Sequence, residues 1–266
     1  MVKLLATAAA LALPFLSMAA PDTGRIVGGK PAHPGQFPSI LSYSYFGRKG
    51  CAAVLIKPGV AVTAAHCVFE WMIKHSTVRG GTLIWNVGGR HVAVNSTLIH
   101  PKYERATHNS DIALLYLNDT IAEGAGIGYA ELPEQGHDPK PGSKGTVAGW
   151  GRTAHKGPQS NILLFVDVPV RNRATCKKAH AEAKKLITEN MVCAGEEGKD
   201  SCQNDSGGPF YESGTNKLIG IVSWGVGCAS AKYGGVYTRV GMFRDWIDQN
   251  ITPTGVEVDF GRSNFS

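Results

Sequence analysis

Between residues 39 and 240 the chain alternates short runs of β-branched, aromatic and small residues with breaks of Gly, Pro, Asn and Lys. The runs fall at 39–46, 52–56, 60–64, 91–100, 112–117, 144–150, 163–170, 217–224 and 235–240. Short runs bounded by turn residues at this spacing predict strands of a sandwich or barrel. Helical pattern is confined to two places: 174–186, rich in Ala and Lys, and 242–249, where Phe243, Trp246 and Ile247 recur at helical spacing. The fold class is therefore all-β with little helix. A strand-poor stretch at 124–145, rich in Pro and Gly, reads as the connection between two halves. No internal repeat is visible, and 253–266 lack periodicity, as expected of a loosely docked tail.

The only long apolar stretch lies at the start. Lys3 precedes an apolar run from Leu4 to Ala20 that Pro14 interrupts, and Ser17 and Ala19 offer the small residues of a peptidase site. Residues 1–20 thus read as a signal peptide, with a transmembrane anchor as the alternative. Secretion into an oxidising compartment suits an even set of six cysteines, Cys51, Cys67, Cys176, Cys193, Cys202 and Cys228. Neither Cys-x-x-Cys nor His-x-x-x-His spacing occurs, so these cysteines do not read as zinc ligands.

Composition narrows the class further. Of 266 residues 43% are hydrophobic and 18% charged, which excludes a disordered or fibrous chain, and 33 Gly with 14 Pro are too many for a helical bundle. The net charge of +6 comes from 27 basic residues scattered among 21 acids, with no basic run to bind nucleic acid.

Three segments carry chemistry: T-A-A-H-C at 63–67, N-S-D-I-A-L-L at 109–115 and D-S-C-Q-N-D-S-G-G-P at 200–209. A serine hydroxyl is a poor nucleophile at neutral pH. It needs an imidazole to accept its proton and a carboxylate to fix the imidazole's tautomer and stabilise its charge. His66, Asp111 and Ser206 offer these groups. Taken singly, each has a structural explanation: a His after a strand, a capping or solvated Asp, a Ser-Gly-Gly turn. Taken together, with Cys67 beside the His and Cys202 four before the Ser, they point to a nucleophilic hydrolase.

With these segments the sequence resembles the trypsin branch of the chymotrypsin-like serine proteases over nearly all of 26–251. I-V-G-G at 26–29, G-W-G at 149–151, S-W-G at 223–225 and G-V-Y-T at 235–238 fall in family order. The resemblance implies two six-stranded antiparallel β-barrels with a C-terminal helix, the first at 26–130 with His66 and Asp111, the second at 131–252 with Ser206. It implies His66 as base and then acid, Asp111 as its support, Ser206 as nucleophile, and the N–H groups of Asn204 and Ser206 as oxyanion hole. Asp200, with Gly225 and Gly235 keeping a slot open, implies cleavage after Arg or Lys; Ser223, Trp224 and Gly225 would pair with the substrate main chain. Cysteines alone allow many pairings. The resemblance selects Cys51–Cys67, Cys176–Cys193 and Cys202–Cys228. Protein or peptide substrates and proteinaceous inhibitors are the partners it implies, for a secreted monomer without cofactor, nucleic acid or membrane.

Activation follows from the same resemblance. Residues 21–25 form a short propeptide; cleavage after Arg25 frees an α-ammonium at Ile26 that can pair with buried Asp205. The enzyme itself or a related protease could make that cut. A catalytically silent binding homologue is the rival reading, and an intact triad speaks against it. Two departures stand out. The usual Gly two before the Ser is Asn204, and no acid lies between Glu70 and Glu104, so the family's calcium loop is missing and no metal is expected. Glycosylation sequons occur at Asn95, Asn118, Asn204, Asn250 and Asn264; a glycan at Asn204 would block the crevice.

Overall fold

The computed structural model describes residues 28–152, 154 and 157–251. The expected signal peptide and propeptide, Ile26, the tail and Asn264 lie outside them. The first half holds β1 (Lys30–Pro31), β2 (Ile40–Tyr45), β3 (Arg48–Lys57), β4 (Val60–Thr63), β5 (Ser76–Gly80), β6 (Arg90–Ile99) and β7 (Ala113–Leu117). The second holds β8 (Lys144–Gly149), β9 (Leu164–Pro169), α1 (Arg173–Glu182), β10 (Met191–Ala194), β11 (Pro209–Glu212), β12 (Leu218–Gly225), β13 (Gly235–Arg239) and α2 (Arg244–Gln249).

Strands β2-β3-β4-β7-β6-β5 close into a barrel. A two-residue turn joins β2 to β3 through Phe46 and Gly47, both at positive φ (51° and 68°), the backbone of a type I′ hairpin turn. Leu41, Leu55, Val62, Val78, Leu114 and Leu115 are fully buried within it. The second sheet departs from the expected closed six-stranded barrel. Seven strands run β1-β9-β8-β11-β12-β13-β10, with two-residue β1 added outside β9, and the two ends of the curl meet only at the bridge Val170↔Ala194. Backbone bonds from Gly195 N to the Pro169 carbonyl at 3.0 Å and from Arg171 N to the Cys193 carbonyl at 2.8 Å flank that bridge, and Pro169, lacking an N–H, returns no bond.

The halves are welded by the core. Tyr211, Leu218 and Ile221 of the second half pack in the same buried cluster as the first barrel, and Ser39 Oγ meets Tyr211 OH at 2.7 Å. Helix α2 also belongs to that cluster through Ile247, while Tyr116 donates to the Asn250 carbonyl at 2.7 Å. Helix α1 is capped by Asn172, whose side chain accepts from Thr175 N at 3.1 Å, and stops before Lys184 at φ 56°. It is therefore shorter than 174–186. The three disulfides join Cys51 to Cys67, Cys176 to Cys193 and Cys202 to Cys228.

Candidate active site

Strands β4 and β7 pair with Thr63 opposite Ala113. His66, on a 3₁₀ turn just after β4, and Asp111, just before β7, therefore leave the same end of one ladder. That is how two residues 45 apart in sequence meet. Asp111 Oδ1 accepts from the His66 backbone N–H at 2.9 Å, and Oδ2 lies 2.7 Å from His66 Nδ1. Because a carboxylate only accepts, the neutral ring carries its proton on Nδ1 and leaves Nε2 free to act as a base.

The second half completes the support. Ser223 Oγ donates to Asp111 Oδ2 at 2.5 Å, and Thr238 Oγ1 donates to the Asp111 carbonyl at 2.7 Å. Burial opposes ionisation of Asp111, but the imidazoles of His108 and His66 and the Ser223 hydroxyl outweigh it and hold the carboxyl far below the usual carboxylate range. Residues from both halves thus secure one fully buried anion.

Ser206 lies on the loop between β10 and β11, and Ala52 N donates to its carbonyl at 2.8 Å. The next residue, Gly207, has φ +77°, and a Cβ there would overlap Thr63 Oγ1 and the Ala52 carbonyl. Only Gly lets the serine loop press against the strand end that carries His66. Asn204 also adopts the left-handed backbone, at φ 75°, as its usual Gly would. Neither the Asn204 nor the Ser206 N–H donates to a protein acceptor among the described residues.

Beside Ser206 opens a cavity of about 120 Å³ lined by Asp200, Ser223, Trp224, Gly225 and Gly235 among others. A larger cavity of about 520 Å³, around His33, Phe37 and Thr82, has no Ser, Cys, Lys or carboxylate in its lining. Asp200 is the one ionisable group in the smaller cavity's lining, and burial pushes its carboxyl up to about 6, with the Ala229 and Ser201 backbone and the Arg171 charge opposing. Its Oδ2 accepts from Ala229 N at 3.1 Å. A Cβ on Gly235 would stand 2.5 Å from Asp200 Oδ1, whereas one on Gly225 would meet nothing nearer than 3.4 Å. Gly235 thus makes room for the acid, and Gly225 leaves room for a ligand. Arg171 ties the far wall by donating to the carbonyls of Gly195, Ser230, Ala231 and Lys232.

Asp205 is fully buried, with Gly151 N donating at 2.7 Å and Cys202 N at 3.1 Å. Burial pushes it up to about 7 against these bonds and the Lys49 charge, and no cation lies within 4 Å of it among the described residues. Lys49, pushed down to about 8 by burial, donates to the Trp150 carbonyl at 3.1 Å.

The sequence missed three contributors. Ser223 is read there as a main-chain partner only, although its hydroxyl holds Asp111; Lys49 carries no motif; and His108, three before Asp111, is the only one with a local signal.

The trypsin family model matches residues 26–247. Trypsin Blo t 3 of Blomia tropicalis is 41% identical over 233 residues, 84% of this chain and 85% of its own. A vitellin-degrading protease of Bombyx mori is 37% identical over 230 residues, 86% of each chain. An alkaline trypsin A of Manduca sexta is 35% identical over 253 residues, 91% of this chain and 98% of its own.

Proposed function

The chain belongs to the trypsin family of serine endopeptidases, and from that premise we propose that it is a secreted zymogen that, once cleaved after Arg25, hydrolyses polypeptides after Arg or Lys. The observation that carries the specificity is Asp200, a buried carboxylate without a counter-cation in the cavity beside Ser206. Such a group is costly to leave unpaired, and a guanidinium or ammonium entering the slot relieves the cost. Ser206 Oγ attacks the scissile carbonyl while His66 Nε2 takes its proton. Asp111 stabilises the imidazolium, and the Asn204 and Ser206 N–H groups receive the oxyanion. His66 then protonates the leaving amine, and water hydrolyses the acyl-enzyme by the same relay. Hydrolysis of Arg, Lys and Phe peptide amides before and after cleavage at Arg25 tests the reading: Phe turnover equal to Arg turnover would refute it.

Two observations support activation at Ile26. Strand β1 pairs Lys30 with Phe165 and Phe165 pairs with Ala148, so the entering chain lies about 10 Å, two strand spacings, from the strand that leads to Gly151 and Asp205. The four residues before Lys30 reach about 13 Å when extended. Asp205 supplies the second argument, since it is ionised and unpaired above about 7 in the uncleaved chain. Its raised value makes the precursor lose stability as pH climbs from about 4, the unfolded value, through that range. The ammonium at Ile26 has the opposite office: its pairing is complete below about 8 and fades as pH rises through its own raised pKa. The melting temperature of the cleaved protein should therefore exceed that of an Arg25→Gln precursor by a margin that widens from about pH 5 to 8 and narrows in alkali. A margin that does not vary with pH rejects the pairing.

Asn204 gives a further expectation. Its side chain, absent in the usual Gly, projects beside the leaving-group side of the crevice, where a short amide leaves space and a rigid protein inhibitor does not. Asn204→Gly should tighten a Kunitz-type inhibitor by at least about tenfold while leaving kcat/KM on a short Arg amide within about threefold. An unchanged Ki rejects the steric account; a rise in kcat by 10²–10³-fold, roughly one oxyanion donor, shows instead that Asn tilts the N–H.

A further inference from the structure

The loop before Asp111 holds an imidazole that lowers the pKa of the Asp111 carboxyl but takes no part in the proton transfers above. His108 and Ser110 both adopt left-handed backbone, at φ 55° and 54°, uncommon outside glycine although His tolerates it better than most residues. The second half holds them there: Asn109 Oδ1 accepts from Thr188 Oγ1 at 2.9 Å and from Asn190 Nδ2 at 3.0 Å, and Asn190 Nδ2 also reaches Ser110 Oγ at 3.2 Å. Local strain sustained by such bonds points to a constrained task. The constraint turns His108 toward the catalytic carboxylate. Its Nδ1 is buried, has no hydrogen-bond partner among the described residues, and stops 3.7 Å from Asp111 Oδ2. Its ring stands edge-on to His66 with centroids 5.4 Å apart.

One donor atom each from His66, His108 and Asp111 lies within 4.8 Å of the other two. A tetrahedral zinc ion with ligands at about 2.0–2.1 Å sets its donors about 3.3 Å apart. The separations found, 2.7 Å from Asp111 Oδ2 to His66 Nδ1 and 3.7 Å to His108 Nδ1, bracket that value. Two imidazoles and one carboxylate suit zinc, whereas calcium and magnesium call for six or more oxygen ligands, so the missing acidic loop bears only on calcium.

We propose that His66, His108 and Asp111 form a reversible inhibitory zinc site inside the catalytic apparatus. The ion enters from the side where the side chains of His108 and His66 are 33% and 23% exposed. It takes the place of the proton shared by His66 Nδ1 and Asp111, which passes to solvent, and a water fills the fourth position. With a dication on Nδ1, the ring cannot accept a second positive charge at Nε2, and proton transfer from Ser206 stops. The inhibition rests on His66 acting as the base proposed above; the binding does not.

The test uses the full chain, before and after cleavage at Arg25, with zinc chloride as the probe. Zinc should inhibit hydrolysis of an Arg amide below millimolar concentration, EDTA should restore it, and magnesium chloride should have no effect. His108→Asn, which tolerates the left-handed backbone but lacks the imidazole, should raise the inhibition constant by at least about tenfold. Calorimetry on Ser206→Ala, which has no turnover to inhibit, should show one zinc per chain, and on Ser206→Ala/His108→Asn the same loss of affinity. Zinc that binds Ser206→Ala this way without slowing the active enzyme faults the role of His66 and leaves the site standing. No zinc bound at millimolar concentration, or equal affinity with and without His108, overturns the proposal.

Discussion

Ser206→Ala lowers kcat on an Arg peptide amide by about 10⁶, His66→Ala lowers it by as much, and the double variant is hardly worse than either. The prediction follows from the division of labour in the site. The hydroxyl of Ser206 is useful only if Nε2 of His66 takes its proton, and that nitrogen is free to do so only because Asp111 holds the other ring nitrogen at 2.7 Å. Once one member is gone, the other has no step left to assist. What survives is the work of groups that neither substitution touches: the Asn204 and Ser206 N–H donors and the cavity at Asp200, together about 10³–10⁴ over the reaction in water. Single-turnover kinetics on the two single variants and the double variant measure the cycle. Losses that add, so that the double variant falls to the uncatalysed rate, would mean that serine and imidazole act in separate steps.

Much of this arrangement is legible from residues near one another in sequence. The runs at 60–64 and 112–117 show as strands because each is dense in β-branched and apolar residues between turn signals, and β4 and β7 fall within them. That Thr63 faces Ala113, and hence that His66 meets Asp111, is a matter of register between distant strands, which composition does not encode. Strands β5, β10 and β11 escape the pattern for local reasons. β5 has Val78 as its one large apolar residue, β10 has Val192 as its one β-branched residue, and β11 opens on Pro209 behind two glycines. The open seam of the second sheet is equally silent, since whether Val170 and Ala194 meet in one bridge or a ladder depends on sheet curl. Ser223 goes unread for a related reason, since its contact to Asp111 crosses the chain and leaves no periodic trace, whereas His108 lies only three residues from Asp111 and meets it through the left-handed turn between them.

Asp200→Ser should lower kcat/KM for Arg amides by about 10⁴ and leave small apolar residues at the same position within about threefold. The difference comes from what the substrate leaves unpaired. In the wild type a guanidinium meets a buried carboxylate already committed to Ala229 N and, more loosely, to the hydroxyls of Ser201 and Tyr237. In the variant the same guanidinium enters a slot of unchanged width that holds only neutral dipoles, so its desolvation goes uncompensated, whereas an alanine side chain never used the charge. The protonation of Asp200 supplies a second, independent reading of the same contact. With burial holding the carboxyl at about 6, a cationic substrate binds the ionised form alone. KM for Arg amides should therefore rise as pH falls below about 6, while KM for apolar substrates stays level. In Asp200→Ser that limb of the profile disappears. Arg turnover that survives the substitution would place the specificity determinant elsewhere in the cavity. An acid limb that persists in the KM of the variant would assign that titration to another group.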